Sequence, residues 1–468
     1  MPASAQPDNA DAEPIPALFV SDIHFEPFWD PATTPQLAAA PIARWNAILA
    51  APPSPHRAPR FAALQQGCHA RGADTSYPLL ASSLRAMRAH APHAKFILLS
   101  GDLISHEFSC KFAAVFPRSS PAAYQAFAET TIQYVLAQLR GAFPGVPVFA
   151  ALGNNDSGCG DYRIDAHSAF LADLAPSFVA GVPAPQRATA GRDFAAGGYY
   201  ATSLPAPIRN TRLLVLDDLF MSRSYRACSG KPDPAPAAAQ IAWLHGQLAQ
   251  ARRNYEKIWF MAHIPPGVDP YSTVRKMPDL CGGEAPEMYL SSDSLADTLA
   301  AFGDVLRLAI FAHTHMDEMR LLTPANNPIQ PSARPHRVAV KLVPSISPVD
   351  GNNPSFTVAR IDPQTATLAD YAVFAASNQT GVDTAWTGEY DFDRAYHQPA
   401  FSSSTVANLI AGFASDPSAQ TESSQTYLRD YFIGNHSLPL KAFWPQYACA
   451  LSNLTANSYR ACVCHTAP

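Results

Sequence analysis

The chain has 468 residues, 47% of them hydrophobic, which is enough to build a large buried core. Its 33 basic and 38 acidic side chains give a formal net charge of −5, which argues against a nucleic-acid polymer as the main partner, because phosphate backbones favour basic surfaces. Its apolar runs are shorter than the roughly 18 residues of a transmembrane helix, so we expect no helical membrane span.

Six apolar runs predict buried strands with helices between them. The runs lie at residues 17–24, 95–102, 146–154, 211–218, 257–263 and 306–315, and helical periodicity occurs at 77–91, 121–141, 237–253 and 292–302. This alternation indicates an α/β fold whose strands are covered on both faces. The Pro- and Ala-rich segment 25–75 shows little periodicity and predicts a long excursion over the surface.

The second half of the chain predicts a different arrangement. Runs at 338–346, 355–362 and 367–375 lie close together without helices and predict a β-meander that completes a second sheet. From about residue 400 the pattern is helical again. We therefore expect a polar tail over residues 1–16, a main domain over 17–396, and a small cysteine-containing α-helical subdomain over 397–468.

The eight cysteines are an even number and contain no C-x-x-C pair, so a zinc ribbon or a thioredoxin-type site is not predicted. An even count favours disulfides and an oxidising compartment, although eight scattered buried thiols are the alternative. All 105 pairings stay open. The first sixteen residues are polar and lack the apolar segment of a signal peptide. We expect a secreted or periplasmic protein whose signal has been removed.

Metal-capable side chains stand where five of the six early strands end. They are Asp22 and His24, then Asp102, Asn154, His263, and finally His313 and His315. Ligands of α/β sheets bind beyond the carboxyl ends of strands, so these side chains are expected to converge. Three carboxylate or amide oxygens and four imidazoles suit two divalent cations. Imidazole favours Zn²⁺, which we prefer, with Mn²⁺, Fe or Co²⁺ as alternatives to it.

Each of these pieces also has an ordinary structural explanation. A D-x-H in a strand is usually incidental, a Gly-Asp after an apolar run is usually a turn, and a lone histidine is most often a satisfied core or surface residue. Five such sets in one consistent order, interrupted by helices, make a chance origin improbable.

The ordered motifs resemble those of the calcineurin-like metallophosphoesterases. They are DIH (22–24), GD (101–102), GNND (153–156), His263 and AHTH (312–315). GDLISH (101–106), HIPPG (263–267), PSISPVDGNNPSFTVARID (344–362) and WTGEYDFDRAY (386–396) resemble more closely the acid sphingomyelinase-like phosphodiesterases of that superfamily. This resemblance implies a sandwich of two mixed β-sheets flanked by helices, and a metal-dependent phosphodiesterase in the main domain.

The resemblance also implies roles for the strand-end residues. One cation would be held by Asp22, His24, Asp102 and His315, and the other by Asp102, Asn154, His263 and His313. Asp102 would bridge the two cations. A hydroxide between them would then attack phosphorus in line.

Two positions depart from the family pattern. Ala312 replaces the glycine before H-x-H, and Asn155 replaces the histidine of G-N-H-D/E. Asn155 can donate a hydrogen bond to phosphate but cannot transfer a proton, which leaves His106 as the best candidate for the general acid. Asp156 is expected to orient a neighbouring histidine.

Two further residues are candidates for substrate contacts. Tyr271 follows His263 in the chain, and Asn353 stands beside Asn352 where the resemblance puts a loop near the metals. The ordinary alternatives are that the tyrosine packs and that the asparagines shape a turn.

Several substrates are compatible with these motifs. Only sixteen polar residues precede the first strand, so the chain resembles the members that lack an N-terminal saposin module, which implies soluble phosphodiesters or nucleotide pyrophosphate bonds as substrates. Hydrolysis of sphingomyelin, a phosphocholine-containing lipid, and a polyphosphatase activity are the alternatives. A non-catalytic protein that binds a phosphorylated ligand is the alternative from another class.

Overall fold

The computed structural model of the protein describes residues 13–324, 336–376, 384–434 and 437–466. The strands are β1 (Ile15–Val20), β2 (Ile97–Leu99), β3 (Val148–Ala150), β4 (Tyr200–Ser203), β5 (Thr211–Val215), β6 (Lys257–Met261), β7 (Leu306–Phe311), β8 (Glu318–Leu322), β9 (Val338–Leu342), β10 (Ser355–Ile361), β11 (Leu368–Ala376) and β12 (Trp386–Asp391).

The α-helices before β7 are α1 (Thr34–Ala39), α2 (Trp45–Leu49), α3 (Arg57–Gly67), α4 (Tyr77–His90), α5 (Phe108–Val115), α6 (Pro121–Ala142), α7 (Ala169–Phe178), α8 (Ala184–Gly197), α9 (Ala235–Arg253), α10 (Pro270–Thr273) and α11 (Ser294–Ala301). Those after β12 are α12 (Phe392–Tyr396), α13 (Ser403–Ala414), α14 (Glu422–Asp430), α15 (Leu438–Ala442), α16 (Trp444–Ala450) and α17 (Ala456–Thr466). Short 3₁₀ helices cover Ile42–Arg44, Val179–Gly181, Asp218–Met221 and Val274–Gly282.

The strands form two six-stranded mixed sheets. The first has the order β12-β11-β10-β1-β2-β3 and the second the order β4-β5-β6-β7-β9-β8. Within the first sheet β1, β2 and β3 are parallel, and within the second β5, β6, β7 and β9 are parallel. The parallel strands other than β9 come from the predicted strand–helix alternation, and the outer strands add antiparallel pairs. The predicted sandwich of two mixed sheets is confirmed.

The two sheets pack face to face through large apolar side chains. Trp259 of β6 lies with its ring centroid 6.0 Å from that of Phe19 in β1 and 6.1 Å from that of Phe96, just before β2. All three side chains are fully buried. The neighbours of Trp259 in the strand, Ile258 and Phe260, pack on the opposite side in a cluster with α9 and α11. The alternation along β6 thus places one face in the sandwich core and the other under helices.

The predicted long helices are confirmed, and two of them show why they begin where they do. Ser76 caps α4 by accepting the Leu79 amide, and Ser120 caps α6 by accepting the Ala123 amide. Each helix also has a proline in its first two positions, where no amide is needed.

Three expectations about the fold are wrong. The first strand begins at Ile15, inside the predicted polar tail. Segment 25–75 is not a surface excursion, because it forms α1, α2 and α3 and buries Phe25, Phe28 and Trp45 in the core. The strands after residue 338 do not form one meander. β9 joins the second sheet between β7 and β8, while β10, β11 and β12 extend the first sheet.

The C-terminal helices pack against the second sheet, where α13 contacts β8 and β9. Disulfides Cys281–Cys464 and Cys449–Cys462 fasten this region. In the main domain Cys68–Cys110 joins the end of α3 to α5, and Cys159–Cys228 joins two loops. The predicted disulfides are confirmed. Among the described residues no helix is both long and apolar enough to cross a bilayer. The boundary of a separate subdomain at residue 397 stays a prediction.

Candidate metal centre

The predicted ligands follow the carboxyl ends of neighbouring strands in both sheets. In the first sheet β1, β2 and β3 lead to Asp22 and His24, to Asp102, and to Asn154; in the second sheet β6 and β7 lead to His263 and to His313 and His315. Because β1–β3 are adjacent and β6 pairs with β7, these loops meet at one end of the sandwich. The structure therefore brings all seven predicted side chains into one cluster.

Asp102 lies in the middle of this cluster. Its Oδ2 is 3.4 Å from His24 Nε2 and 3.2 Å from His263 Nε2. On one side His24 Nε2 lies 3.1 Å from His315 Nε2, and on the other His263 Nε2 lies 3.2 Å from Asn154 Oδ1. This central position is the one that a bridging carboxylate needs.

Hydrogen bonds on the far side of the rings decide which nitrogen faces the cluster. His24 Nδ1 lies 2.9 Å from the Ile104 carbonyl, and His263 Nδ1 lies 2.8 Å from the Ser100 carbonyl, so both rings donate there. Their Nε2 lone pairs therefore point inward. The Asn154 Nδ2 donates to Asp161 at 2.9 Å, which leaves its Oδ1 facing His263.

The cluster thus gathers nitrogen and oxygen atoms that can act as metal ligands, and the surroundings of Asp22 test whether it fits metal ions. Asp22 is fully buried, and neither of its oxygens has a hydrogen-bond partner among the described residues. A buried carboxylate without partners is costly unless a cation accompanies it. The donor set, and a buried Asp22 carboxylate without hydrogen bonds, fit a dinuclear cation site.

The pKa values of the histidines show the effect of the carboxylates in the cluster. Burial alone would lower the pKa of His24 and of His263, yet the surrounding carboxylates, Asp102 foremost, together outweigh it. They raise the pKa of His24 to about 9 and that of His263 to about 10. Burial together with the neighbouring His263 lowers the pKa of His313 to about 3. Protons on His24 and His263 must leave before a metal binds, so protons and metals compete for this site.

The backbone at the cluster is unusual. Asp22, His24, Asp102, His313 and His315 all have positive φ angles, between 44° and 72°. L-residues adopt this region at a cost, and such conformations concentrate at functional sites. Gly153 allows the crowding, because a Cβ atom there would lie 2.2 Å from Asp102 Oδ1.

His106, the predicted general acid, lies at the edge of the cluster. Its ring stacks on His24 with centroids 3.9 Å apart, and its side chain is 28% exposed, so a substrate can reach it. Asp74 holds it in place, because its Oδ2 accepts the His106 amide at 2.8 Å and its Oδ1 lies 3.0 Å from His106 Nδ1. Nδ1 is thereby occupied, and Nε2 is the ring nitrogen left for a substrate.

Asp74 is itself anchored in a buried charged network. Ser347 donates to its Oδ1 at 2.8 Å, and the Lys111 Nζ, which pairs with Glu26, lies 3.8 Å from its Oδ2. Burial raises the pKa of Asp74, but the charge and hydrogen bond of His106 outweigh burial and hold it below its usual value. A charged carboxylate therefore stands behind His106.

Asn155 and Asp156 form hydrogen bonds with the loops that carry the cluster. Asn155 is buried and donates to Asp102 twice, from its amide at 2.8 Å and from Nδ2 at 2.9 Å. Asp156 was expected to orient a histidine; instead it accepts the amides of Leu103, Ile104 and Gly153. It therefore ties the loop after β2 to the loop after β3, and so fixes Asp102 relative to Asn154.

The two candidate substrate contacts are not part of the cluster. Asn353 donates to the Ile433 carbonyl at 2.8 Å, and Asn352 is buried against Ser345 and Ser347. Tyr271 lies on α10 with 65% of its surface exposed. Their roles stay predictions.

Sequence reasoning missed several residues that support the cluster. Asp74, Asp350 and Asp218 have no motif of their own. Asp350 Oδ2 lies 3.2 Å from His315 Nδ1, and Asp218 accepts the amides of His263 and Ile264. Two of them left a signal in the sequence, since Asp218 ends an apolar run at 211–218 and Asp350 stands within the stretch 344–362 that carries the resemblance.

Comparison with known proteins identifies the family. The family model for calcineurin-like phosphoesterases matches residues 15–317. The chain belongs to this family. The resemblance read from the motifs is therefore confirmed, and the chain is a hydrolase of phosphoric esters whose family uses a dinuclear metal centre.

Three curated proteins extend this likeness beyond the family model. Cyclic GMP-AMP phosphodiesterase SMPDL3A of Rattus norvegicus is 25% identical over 83% of this chain and 82% of its own length. Sphingomyelinase phosphodiesterase C of Dictyostelium discoideum is 26% identical over 79% of this chain and 76% of its own. Acid sphingomyelinase-like phosphodiesterase 3b of Mus musculus is 24% identical over 83% of this chain and 80% of its own length.

Proposed function

We propose that the protein is a dinuclear phosphodiesterase that hydrolyses soluble phosphodiesters or nucleotide pyrophosphate bonds. The observation that carries this is the placement of Asp102 between two groups of possible metal ligands, with His106 at the accessible edge, where the buried Asp74 holds it. Hydrolysis of sphingomyelin is the second candidate, and the names of the Dictyostelium and mouse relatives favour it.

The residues would divide the work as follows. Asp22, His24, Asp102 and His315 would hold one divalent cation, and Asp102, Asn154, His263 and His313 the other. Such cations supply charge neutralisation for phosphate oxygens and a lowered pKa for an attacking water. Zn²⁺ is our preferred metal because four of the seven ligands are imidazoles.

The chain's own residues would handle the leaving group. Asp74 holds His106 through Nδ1, so that a proton on Nε2 can pass to the departing oxygen as the P–O bond breaks. Asn155 holds Asp102 in place through two hydrogen bonds, which makes it a positioning residue. Asp156 fixes the two loops that carry Asp102 and Asn154.

Four disulfides favour an oxidising compartment, and we propose that the protein acts outside the cytoplasm, as a secreted or periplasmic enzyme.

The test is turnover of bis(p-nitrophenyl) phosphate by chelator-treated protein reloaded with Zn²⁺ or Mn²⁺, together with metal analysis. Asp102→Asn should lose metal and lower turnover by more than the roughly 10–100-fold caused by losing an outer hydrogen-bond partner. Asp173→Asn, an exposed carboxylate on α7, is the matched control and should change neither.

Two results would contradict this proposal. Full metal content and turnover in Asp102→Asn would refute the bridging role. Wild-type protein that binds two cations but hydrolyses no phosphodiester would favour the non-catalytic binding protein instead.

A further inference from the structure

A polar cavity of about 650 Å³ opens beside the metal centre on the side of His313. Its floor is aromatic, because the Tyr162 hydroxyl lies 3.4 Å from His313 Nε2 and the Tyr289 ring lies 5.6 Å from the His313 ring. Sites for small molecules commonly measure about 300–1,000 Å³. The cavity can therefore take a group of nucleotide size that is attached to a phosphate at the metals.

Three basic side chains line this cavity, and they are not equivalent. Arg223 pairs with Glu287 at 2.9 Å, and Lys276 pairs with the same Glu287 at 2.6 Å and with Glu284 at 3.4 Å. The hydrogen bond from Lys276 and its charge hold the pKa of Glu287 below its usual value, so this carboxylate is charged and neutralises its partners. Arg275 is exposed and forms no ion pair within the described part of the chain.

The segment that carries Arg275 is fixed to the C-terminal helices by packing and by a disulfide. Arg275 belongs to the 3₁₀ helix Val274–Gly282, whose Met277 and Leu280 pack with residues of α16 and α17. Cys281 in the same helix is bonded to Cys464 of α17. The backbone that carries Arg275 is therefore held in place. Binding a ligand there needs less ordering of the chain and so costs less conformational entropy.

Building on the proposed function, we propose that this cavity receives the part of the substrate beyond the scissile phosphate, and that Arg275 binds a second anionic group there. The guanidinium fork matches phosphate geometry, and its charge is not used by a carboxylate of the cavity. The preferred substrates are then pyrophosphate diesters and other polyanionic phosphodiesters, rather than esters of a cationic choline.

The reaction that tests this is hydrolysis of ADP-ribose. Water adds to one phosphorus, the bridging P–O bond breaks, and AMP and ribose 5-phosphate leave, so one phosphate always lies beyond the scissile bond. The reference substrate is the p-nitrophenyl ester of thymidine 5′-monophosphate, which has no second phosphate. Arg275→Gln should lower kcat/KM for ADP-ribose about tenfold relative to the reference substrate, chiefly through KM.

Two further variants make the result specific. Arg275→Lys keeps the charge without the fork and should lie between the wild type and Arg275→Gln. Arg253→Gln removes an exposed arginine on α9 outside the cavity and should leave the ratio of the two substrates unchanged. An unchanged ratio in Arg275→Gln, or an equal loss on both substrates, would overturn the proposal.

A binding measurement separates this proposal from the proposed function. The dissociation constant of α,β-methylene-ADP, which resists cleavage at its bridge, is measured by calorimetry on the metal-loaded protein. Arg275→Gln should weaken binding about tenfold, and Arg253→Gln should not. If the wild type hydrolyses neither substrate, the proposed function fails, while this measurement still decides the subsite. Equal affinity in the wild type and Arg275→Gln would refute the subsite.

Discussion

At the scale of single residues, the most informative contact is the one between Asp74 and His106. The carboxylate accepts both the amide and the ring of His106, which fixes the ring plane over His24. Asn155 cannot supply a proton and is hydrogen-bonded to Asp102. His106 is thus the accessible imidazole at the edge of the cluster, and we propose it as the proton donor.

This arrangement predicts that the importance of His106 depends on the leaving group. His106→Ala should lower turnover of diesters with poor alkoxide leaving groups by roughly 10²–10⁴-fold, the usual effect of a general acid. Turnover of p-nitrophenyl esters should fall much less, because p-nitrophenolate leaves without a proton. Asp74→Asn should show the same difference between the two substrate types to a smaller extent. This substitution leaves the His106 ring in place and only weakens the contact that orients it. Steady-state kinetics on both substrate types measure this.

The control for this prediction is His93→Ala. His93 is exposed and precedes β2, whereas Asp102 follows that strand, so it lies at the opposite end of β2. It should affect neither substrate, and metal content should be unchanged in all three variants. An equal loss on both substrate types would mean that His106 binds phosphate, and no loss would make it a bystander.

The residues of the cluster could be found from the sequence, but most of the residues that support them could not. Asp22, Asp102 and His263 stand directly after apolar runs, and strand ends of one sheet edge converge whatever the details of packing. Asp74 and Asp350 instead reach the cluster from irregular loops. Their positions depend on long-range packing, which local periodicity does not report.

At the scale of secondary-structure elements, the sequence predicts wrongly which strands pair with each other, and it misses short helices. β9 and β10 are both apolar runs, and a run reports burial but not the strand with which it pairs. In segment 25–75, α1 and α2 have only six and five residues, too few to display a helical period. Their aromatic anchors, such as Trp45, are recognisable only once the core is formed.

Two C-terminal carboxylates predict opposite dependences on pH. Burial raises the pKa of Asp430 at the end of α14 from 3.8 to about 6, although Arg429 partly opposes it. A raised pKa contributes stability that is present at low pH and lost as pH rises through the folded value, here about 2 kcal/mol between pH 4 and pH 7.5. The free energy of unfolding of Asp430→Asn should therefore rise relative to that of the wild type as pH rises over this range.

Asp416 is the matched control with the opposite sign. Backbone amides of Gln420 and Thr421 donate to it and hold its pKa below the usual value. Its contribution is present above the unfolded value of 3.8 and is lost only as pH falls below it, so Asp416→Asn should lose as much stability at pH 4 as at pH 7.5 and less below pH 3. Urea unfolding of both variants and the wild type at pH 2.5, 4 and 7.5 measures this. Parallel pH profiles for the two variants would contradict the assignment.

At the scale of the whole molecule, covalent links tie the C-terminal helices to the main domain. Cys281 lies in the 3₁₀ helix Val274–Gly282 and Cys464 in α17, 183 residues further along the chain. Cys449–Cys462 joins α16 to α17 across a separation of only 13 residues. The even cysteine count predicted disulfides, but the pairing required the fold, since spacing alone allows 105 arrangements.

The two C-terminal disulfides should therefore differ in their effect on stability. Cross-linking restricts the unfolded chain more when the closed loop is longer, so loss of Cys281–Cys464 should cost about 5 kcal/mol and loss of Cys449–Cys462 about 3 kcal/mol. The double variants Cys281→Ala/Cys464→Ala and Cys449→Ala/Cys462→Ala test this by thermal unfolding, after peptide mapping of unreduced protein has verified the pairs. The first variant should also broaden the transition, because the C-terminal helices would no longer be tethered to the wall of the Arg275 cavity. Eight free thiols in the native protein, or a larger loss of melting temperature in the second variant than in the first, would contradict this account.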